Sequence, residues 1–238
     1  MHTTTDPTTN PTLSPSLTDA LERLVEAVGS LQTQQENLWQ QSEALTRLLA
    51  YLQPNAPFPP TRGWAASPDF LLLLAETILD INPTHIVEAS SGVSTLVSAY
   101  CLKRLGSGHV TSLEHDPEYA AKTTSLLQLH DLSSFASVLH TPLIKHTIDG
   151  DSYQWYDAPN IDAIDLLVVD GPPAKTGPLA RYPALPLFRD AIGSGATILV
   201  DDGARPPEEE MVKRWCAANP AITQEYFNFE KGAYRLRC

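Results

Sequence analysis

Apolar residues in the first quarter of the chain recur on a seven-residue beat. Leu17, Leu24, Leu31, Leu38, Leu45 and Leu52 stand seven apart, and Leu21, Val28, Gln35, Ser42 and Leu49 interleave with them, so the spacing alternates four and three. That alternation is the a/d seam of a coiled coil and predicts a long helix over 17–53. Gln35 and Ser42 set polar groups into the seam, and Gly29 costs the helix about 1 kcal/mol relative to alanine. The flanking e and g positions carry Val25, Trp39 and Leu48 and no charged residue, which widens the apolar stripe. Two uses of the stripe are open: self-association through 17–52, or packing of the helix onto the chain's own domain. The unbroken run of leucine at one heptad position favours self-association, hence a homo-oligomer.

The pattern changes on either side. Residues 1–16, rich in Thr, Pro, Ser and Asn, hold nothing from which to build a core and read as a disordered tail. PNAPFPPTRG, residues 54–63, reads as a linker, and a globular unit over 64–238 follows. Within it, short apolar runs alternate with helical stretches. SPDFLLLLAETILDIN, TLVSAYCLKRLG, PEYAAKTTSLLQLHDL, PALPLFRDAIGSG and PPEEEMVKRWCAANP read as helices. THIVEAS, HVTSLEHD, ASVLHTPL, IDLLVVDGPP and ATILVDDG read as strands, and TQEYFNFE with AYRLRC reads as a closing hairpin around Lys231 and Gly232. Such alternation predicts an α/β, Rossmann-like fold: a mostly parallel, seven-stranded sheet with helices on both faces and an antiparallel C-terminal hairpin, preceded by the coiled-coil helix.

Charge narrows the function. Lys and Arg total 16 against 28 Asp and Glu, a net charge of -12. Nucleic acid and anionic membrane surfaces both need clustered cations, so neither is an expected partner. No run approaches the length of a membrane span, and no secretory leader is visible at the N-terminus. Cys101, Cys216 and Cys238 are too few and too scattered for a disulfide framework, and the seven histidines lack zinc-ligand spacing. A cytoplasmic protein is expected.

In open α/β sheets, ligands bind at the carboxyl ends of the strands. Here those ends carry acids and small residues. The first strand runs through Glu88 into Ser90-Ser91-Gly92-Val93-Ser94, the second ends at Glu114-His115, the fourth at Asp170 and the fifth at Asp201-Asp202. Small residues let a turn approach a ligand closely, and an acid about 20 residues beyond such a turn can hold a ribose diol. Three carboxylates from adjoining strand ends suit a hard cation such as magnesium. Tyr153, Trp155 and Tyr156 read equally as loop packing or as a wall for adenine or an acceptor, while Arg181, Tyr182 and Arg205 read as surface residues near the acceptor side.

The order VEASSGVST, VTSLEHDPEYAAKTTSLL, IDLLVVDGPP, ATILVDDG resembles the class I S-adenosylmethionine-dependent methyltransferases, and within them the metal-dependent O-methyltransferases such as the catechol and macrocin enzymes, over roughly residues 65–238. The resemblance implies S-adenosylmethionine as cofactor, with Glu88, Ser90, Ser91, Gly92 and Ser94 at its methionine and ribose portion, Glu114 on the ribose hydroxyls with His115 beside it, and Thr141 to Leu143 bordering adenine. It implies Mg2+ on Asp170, Asp201 and Asp202, and O-methylation of a small-molecule or sugar hydroxyl. Ser90 stands where the family has its first loop glycine. Pro173 stands where the catechol enzymes have a lysine base, so the proton acceptor is open among Lys175, the nearest lysine, His115, His140 and His146; Lys175 and Asp170 are carried as the catalytic pair. A nicotinamide-dependent dehydrogenase would need a Gly-x-Gly-x-x-Gly turn, which the chain lacks. The rival from another class is a non-catalytic interaction module, a degenerate methyltransferase fold displayed by a coiled coil.

Overall fold

The computed structural model describes residues 15–238, so the expected tail falls almost wholly outside the described residues. Helix α1 runs from Pro15 to Leu52, with proline at the first position, where a missing N–H costs nothing. The chain divides into two units, one ending at Gln40 and the other Gln41–Cys238. In the first, the apolar seam of α1 is exposed along its length. The second begins inside α1, not at residue 64 as the linker implied, because Ala44, Leu48 and Leu52 belong to its core with Phe70, Leu71 and Leu74.

The central sheet is built from β1 (His85–Ala89), β2 (His109–Glu114), β3 (Ala136–His140), β6 (Ile164–Val169), β7 (Ile192–Asp201), β8 (Thr223–Phe227) and β9 (Ala233–Arg237). Its order is β3-β2-β1-β6-β7-β9-β8. The first five strands in that order are parallel, and β9 runs antiparallel to both β7 and β8. Helices α2 (Pro68–Ile81), α3 (Val93–Leu105) and α4 (Pro117–Leu129) cover one face, over Ile86, Val110, Leu166 and Val168. The alternate residues Val87, Leu113, Leu167 and Val169 face a second cluster, which takes in α5 (Ala184–Phe188) and α6 (Pro206–Ala218). The period of two along each strand thus fills both sides of the sheet.

Local chemistry sets the helix ends that matter for the site. Asp116 caps α4 by accepting from the Glu118 and Tyr119 N–H groups, and Pro117 follows it. Gly106 ends α3 in the left-handed conformation that glycine adopts without strain.

Two stretches depart from the sequence reading. ASVLHTPL is not one strand: β3 stops at His140, and Leu143–Ile148 (β4) pairs with Asp151–Tyr156 (β5) in a separate two-stranded ribbon. Its turn, Asp149-Gly150, has positive φ at both residues, the type I′ geometry that suits a two-residue hairpin. Tyr153, Trp155 and Tyr156 therefore ride on a strand, not a loop, and pack into the second face. The helix expected over PALPLFRDAIGSG is confined to Ala184–Phe188, and its glycine-bearing tail extends β7 back to Ile192 through a register shift. Among the described residues, no helix is long and apolar enough to cross a membrane.

Candidate functional site

The carboxyl ends of β2, β1, β6 and β7 lie side by side, and they carry the acids. Val169 pairs with Val200, so Asp170 and Asp201 follow at the same level on neighbouring strands, while Glu114 ends β2 on the other side of β1. Between them, β1 turns through Ser90-Ser91-Gly92 into α3. The Ser90 N–H donates to the Leu113 carbonyl at 3.0 Å. Ser90 takes φ 126° and Gly92 φ 147°. A serine at such a φ stores about 1–3 kcal/mol of backbone strain. A Cβ on Gly92 would meet nothing within 4 Å, so the loop's outer surface is open.

Polar side chains fix this loop from below. Glu88 is fully buried; its Oε2 accepts from Thr95 Oγ1 at 2.5 Å and from Ser112 Oγ at 2.7 Å. Thr95 Oγ1 in turn accepts from the Gly92 N–H at 3.0 Å. Oε1 of Glu88 has no hydrogen-bond partner. Burial raises the Glu88 pKa, and the hydrogen bonds from Thr95 and Ser112 oppose the rise. Ser94 is buried in the first turn of α3.

Glu114 is also buried. Its Oε2 accepts from Ser91 Oγ at 3.0 Å, and Oε1 accepts from the Asp116 N–H at 3.0 Å. His115 Nδ1 lies 3.0 Å from Oε1 without hydrogen-bond alignment, and its ring meets Tyr156 edge-on at 6.3 Å. Tyr156 lies close against Gly171, where an added Cβ would be 2.5 Å from the Tyr156 hydroxyl. Thr141 is buried at the end of β3, where its N–H donates to the Glu114 carbonyl at 2.8 Å.

On the other side, Asp170, Asp201 and Asp202 each bring a carboxylate oxygen within 4.8 Å of the others. Arg181 is embedded among them and is only 4% exposed, against the expectation of a surface residue. Its Nη2 donates to Asp202 Oδ2 at 2.7 Å and to Asp170 Oδ1 at 3.3 Å, and its Nη1 donates to the Asp201 carbonyl at 3.0 Å. Glu208 lies 3.7 Å from Nε, and Arg205 adds a 2.8 Å ion pair to Asp202. Asp201 Oδ2 and Asp202 Oδ1 remain buried without partners. Burial pushes the Asp170 carboxyl up to about 7, with Arg181 opposing the rise. The Asp201 carboxyl is raised well above its usual range by burial, then by Asp170 and Asp202.

The structure thus brings the residues expected for cofactor and metal onto one edge of the sheet. Lys175 is apart from that set: it is exposed in the 3-10 turn Ala174–Thr176 and makes no hydrogen bond or ion pair among the described residues. His140 is exposed, and His146 lies on β4 with its Nε2 buried and unpartnered. Sequence reasoning missed Lys231, whose charge lowers the Asp170 and Asp201 pKa values while its Nζ donates to the carbonyls of Gly63 and Ala65. It also missed Thr95 and Ser112 beneath the loop, which a pattern search reads as ordinary small polar residues. A cavity of about 460 Å³ opens at the opposite, amino ends of β1 and β6, but its acid, Asp165, is already engaged by the Thr84 and His85 N–H groups.

A parallel sheet in this order, closed by an antiparallel edge and bearing acids on either side of its β1–α3 turn, defines the class I methyltransferase fold. Residues 89–203 match the model of a family described as "Methyltransferase domain". The O-methyltransferase TomG of Streptomyces achromogenes, involved in tomaymycin synthesis and solved with SAM, aligns over 85% of this chain and 95% of its own, at 14% identity and a TM-score of 0.55. An SAH-bound O-methyltransferase of Bacillus cereus aligns over 82% of this chain and 91% of its own, at 16% identity and a TM-score of 0.55. The SAH-bound methyltransferase PaMTH1 of Podospora anserina covers 82% and 87%, at 16% identity and a TM-score of 0.53. No curated protein matches the chain by sequence.

Proposed function

We propose that this protein is a methyltransferase that binds S-adenosylmethionine between the β1–α3 loop and Glu114, and methylates a hydroxyl on a small molecule or sugar with a divalent cation, Mg2+, held at Asp170, Asp201 and Asp202. The observation that carries the reading is the position of Glu114 and the acid trio on adjoining strand ends, flanking one open, glycine-bearing turn. Nearby proteins of the same fold, TomG and the Bacillus cereus enzyme, were solved with SAM or SAH, which supports the cofactor.

The donor set fits both groups. Ser91, in the turn, and Glu114, at the end of β2, form a polar pair suited to the hydroxyls of a ribose, and Glu88 keeps one buried oxygen without a partner beneath the loop. Around Arg181, the carboxylates of Asp170, Asp202 and Glu208 make direct ion pairs with two cations among the described residues, Arg181 and Arg205, and the Asp201 carboxylate joins the cluster without one. With all four acids ionised, the state that a bound cation would favour, the charge left over is that of one divalent cation, and two buried oxygens, Asp201 Oδ2 and Asp202 Oδ1, have no donors. All-oxygen donors suit magnesium.

S-adenosylmethionine supplies an electrophilic methyl group, and the cation, when bound, lowers the pKa of an acceptor hydroxyl and orients it. The chain's own residues do the rest. Glu114 and Ser91 would hold the ribose end, with the serine hydroxyl fixing the carboxylate's orientation. Arg181 holds Asp170 and Asp202 in register. Tyr156 packs against Gly171 and keeps bulk water from beneath. Lys175, exposed and unengaged, is the proton acceptor of this reading, with Asp170 as its partner at the acceptor hydroxyl.

Isothermal titration of the full chain with S-adenosylmethionine, and separately with NAD+, tests the cofactor. Saturable binding of the first and none of the second is expected; no heat with S-adenosylmethionine would end the proposal. Titration with MgCl2 after chelator treatment tests the metal, and wild-type binding by Asp170→Asn would remove that residue from the cation site.

A further inference from the structure

We infer that residues 17–39 of α1 form a parallel, in-register, two-stranded coiled coil with a second copy of this chain. The inference concerns a surface outside the catalytic site and does not depend on the proposed chemistry.

The a/d seam splits in two along α1. From Gln41 onward the buried line is Gln41, Ala44, Leu48 and Leu52, which follows the 3.6-residue turn of a helix packed on its own domain. Before Gln41 the apolar residues keep the 3.5-residue beat instead, and none of the described residues covers them. Leu17, Leu21, Leu24, Val28, Leu31 and Leu38 are 46–64% exposed, and Val25 and Trp39 flank them at 64% and 70%. A strict 3.5-residue period is matched by a partner helix that supercoils around it, whereas a globular surface selects the 3.6 period seen further along.

The area suffices. These side chains expose roughly 800 Å² per helix, about the contribution of one partner to a standard stable interface. No e or g position between 17 and 39 is charged, so two copies meet there without like-charge contact despite a net charge of -12.

The seam also selects its own copy, and one orientation. Gln35 is the single polar residue among the a and d positions from Leu17 to Leu38. In a parallel, in-register pair it faces Gln35 of the second copy, and each amide can both donate and accept. An antiparallel pair packs a positions against d positions and would set Gln35 against a leucine such as Leu24, an amide among apolar side chains with no partner. Val28 at an a position with leucine at the flanking d positions favours two strands over three or four.

Sedimentation equilibrium of the full chain at micromolar concentration should give twice the 26.0 kDa monomer mass. Replacing Leu24 and Leu31 together by lysine should weaken association by more than 100-fold, while the thermal transition of the 41–238 unit stays within a degree or two of wild type. The full-length Gln35→Cys variant, oxidised and digested, should yield a cross-link joining position 35 to position 35. A monomeric wild-type chain, a trimer or tetramer, or a lysine double variant that stays dimeric would overturn the proposal. So would a dimer of Gln35→Cys that forms no cross-link between the two introduced thiols.

Discussion

Ser91 and Glu114, 23 residues apart in sequence, are joined by a 3.0 Å hydrogen bond from the serine hydroxyl to Oε2. The bond ties the β1–α3 turn to the end of β2, so the two halves of the proposed ribose site are set before any ligand arrives. Preorganisation of this kind saves the ordering cost of binding.

Glu114→Ala should therefore weaken S-adenosylmethionine binding by about 10- to 100-fold, the loss of roughly 1.5–3 kcal/mol expected for hydrogen bonds to a charged group. Ser91→Ala should cost less, because it removes only the tie. Calorimetric titration measures both, and equal affinity across the three proteins would take Glu114 out of the site.

Ser90 sits at φ 126° in the glycine place of the loop. Ser90→Gly should relieve about 1–3 kcal/mol of strain, offset in part by about 0.5–1 kcal/mol of added chain entropy in the unfolded state. A thermal midpoint equal to or a few degrees above wild type is expected. Ser90→Val, branched at Cβ, should lower it. A Gly variant clearly less stable than wild type would mean that the serine side chain holds the loop.

Arg181 should be the costliest single residue of the acid side. Arg181→Met leaves Asp170, Asp202 and Glu208 facing one another in a buried space, and breaking a buried pair in this way costs about 3–5 kcal/mol. Added MgCl2 should raise the thermal midpoint of this variant by more than it raises the wild type's. An Arg181→Met midpoint close to wild type, with no response to magnesium, would show that the acids do not need a cation.

His130 should govern part of the acid limb of stability. It is buried, its Nδ1 lies 2.6 Å from the Tyr100 hydroxyl, and burial lowers its pKa below the usual histidine value. A histidine kept neutral in the fold binds fewer protons than in the unfolded chain. Its contribution is therefore fully present above about pH 6.5 and is lost as pH falls below that. His130→Gln should flatten the fall in thermal midpoint between pH 7.5 and 5; an unchanged slope would locate the acid sensitivity elsewhere.

Removing residues 1–40 should leave the globular unit's midpoint nearly unchanged. Removing 1–56 should lower it by many degrees, because Leu48 and Leu52 leave the core and Asp69 loses the 2.7 Å bond from Gln41 Nε2. Each buried leucine is worth about 2–5 kcal/mol. Equal melting of the two truncated chains would refute the assignment of residues 41–52 to this core.

The parallel sheet was legible because its strands are short apolar runs that stop at Glu114, Asp170 and Asp201, where the backbone leaves the core. The heptad seam was legible too, but not its division at Gln41: leucines at 45 and 52 continue the beat after the helix has changed the face that it buries. The β4–β5 ribbon went unread although Asp149-Gly150 between alternating residues is a strong hairpin signal. Arg181 could not be placed from sequence at all. Its burial depends on Asp202, Asp170 and Glu208, which the fold gathers from three separate segments.

The β4–β5 ribbon pairs with no strand of the main sheet. Its length can thus change by a matched pair of residues, one on each arm, without disturbing a single ladder bond of the parallel strands or the acids at their ends. The residues proposed to hold cofactor and cation stand at strand ends of the main sheet, whereas this segment delivers Tyr156 beside Gly171. Changes at the Asp149-Gly150 tip can therefore reshape the ribbon while the acids at the strand ends keep their places, a separation of parts that a strand of the main sheet would not permit.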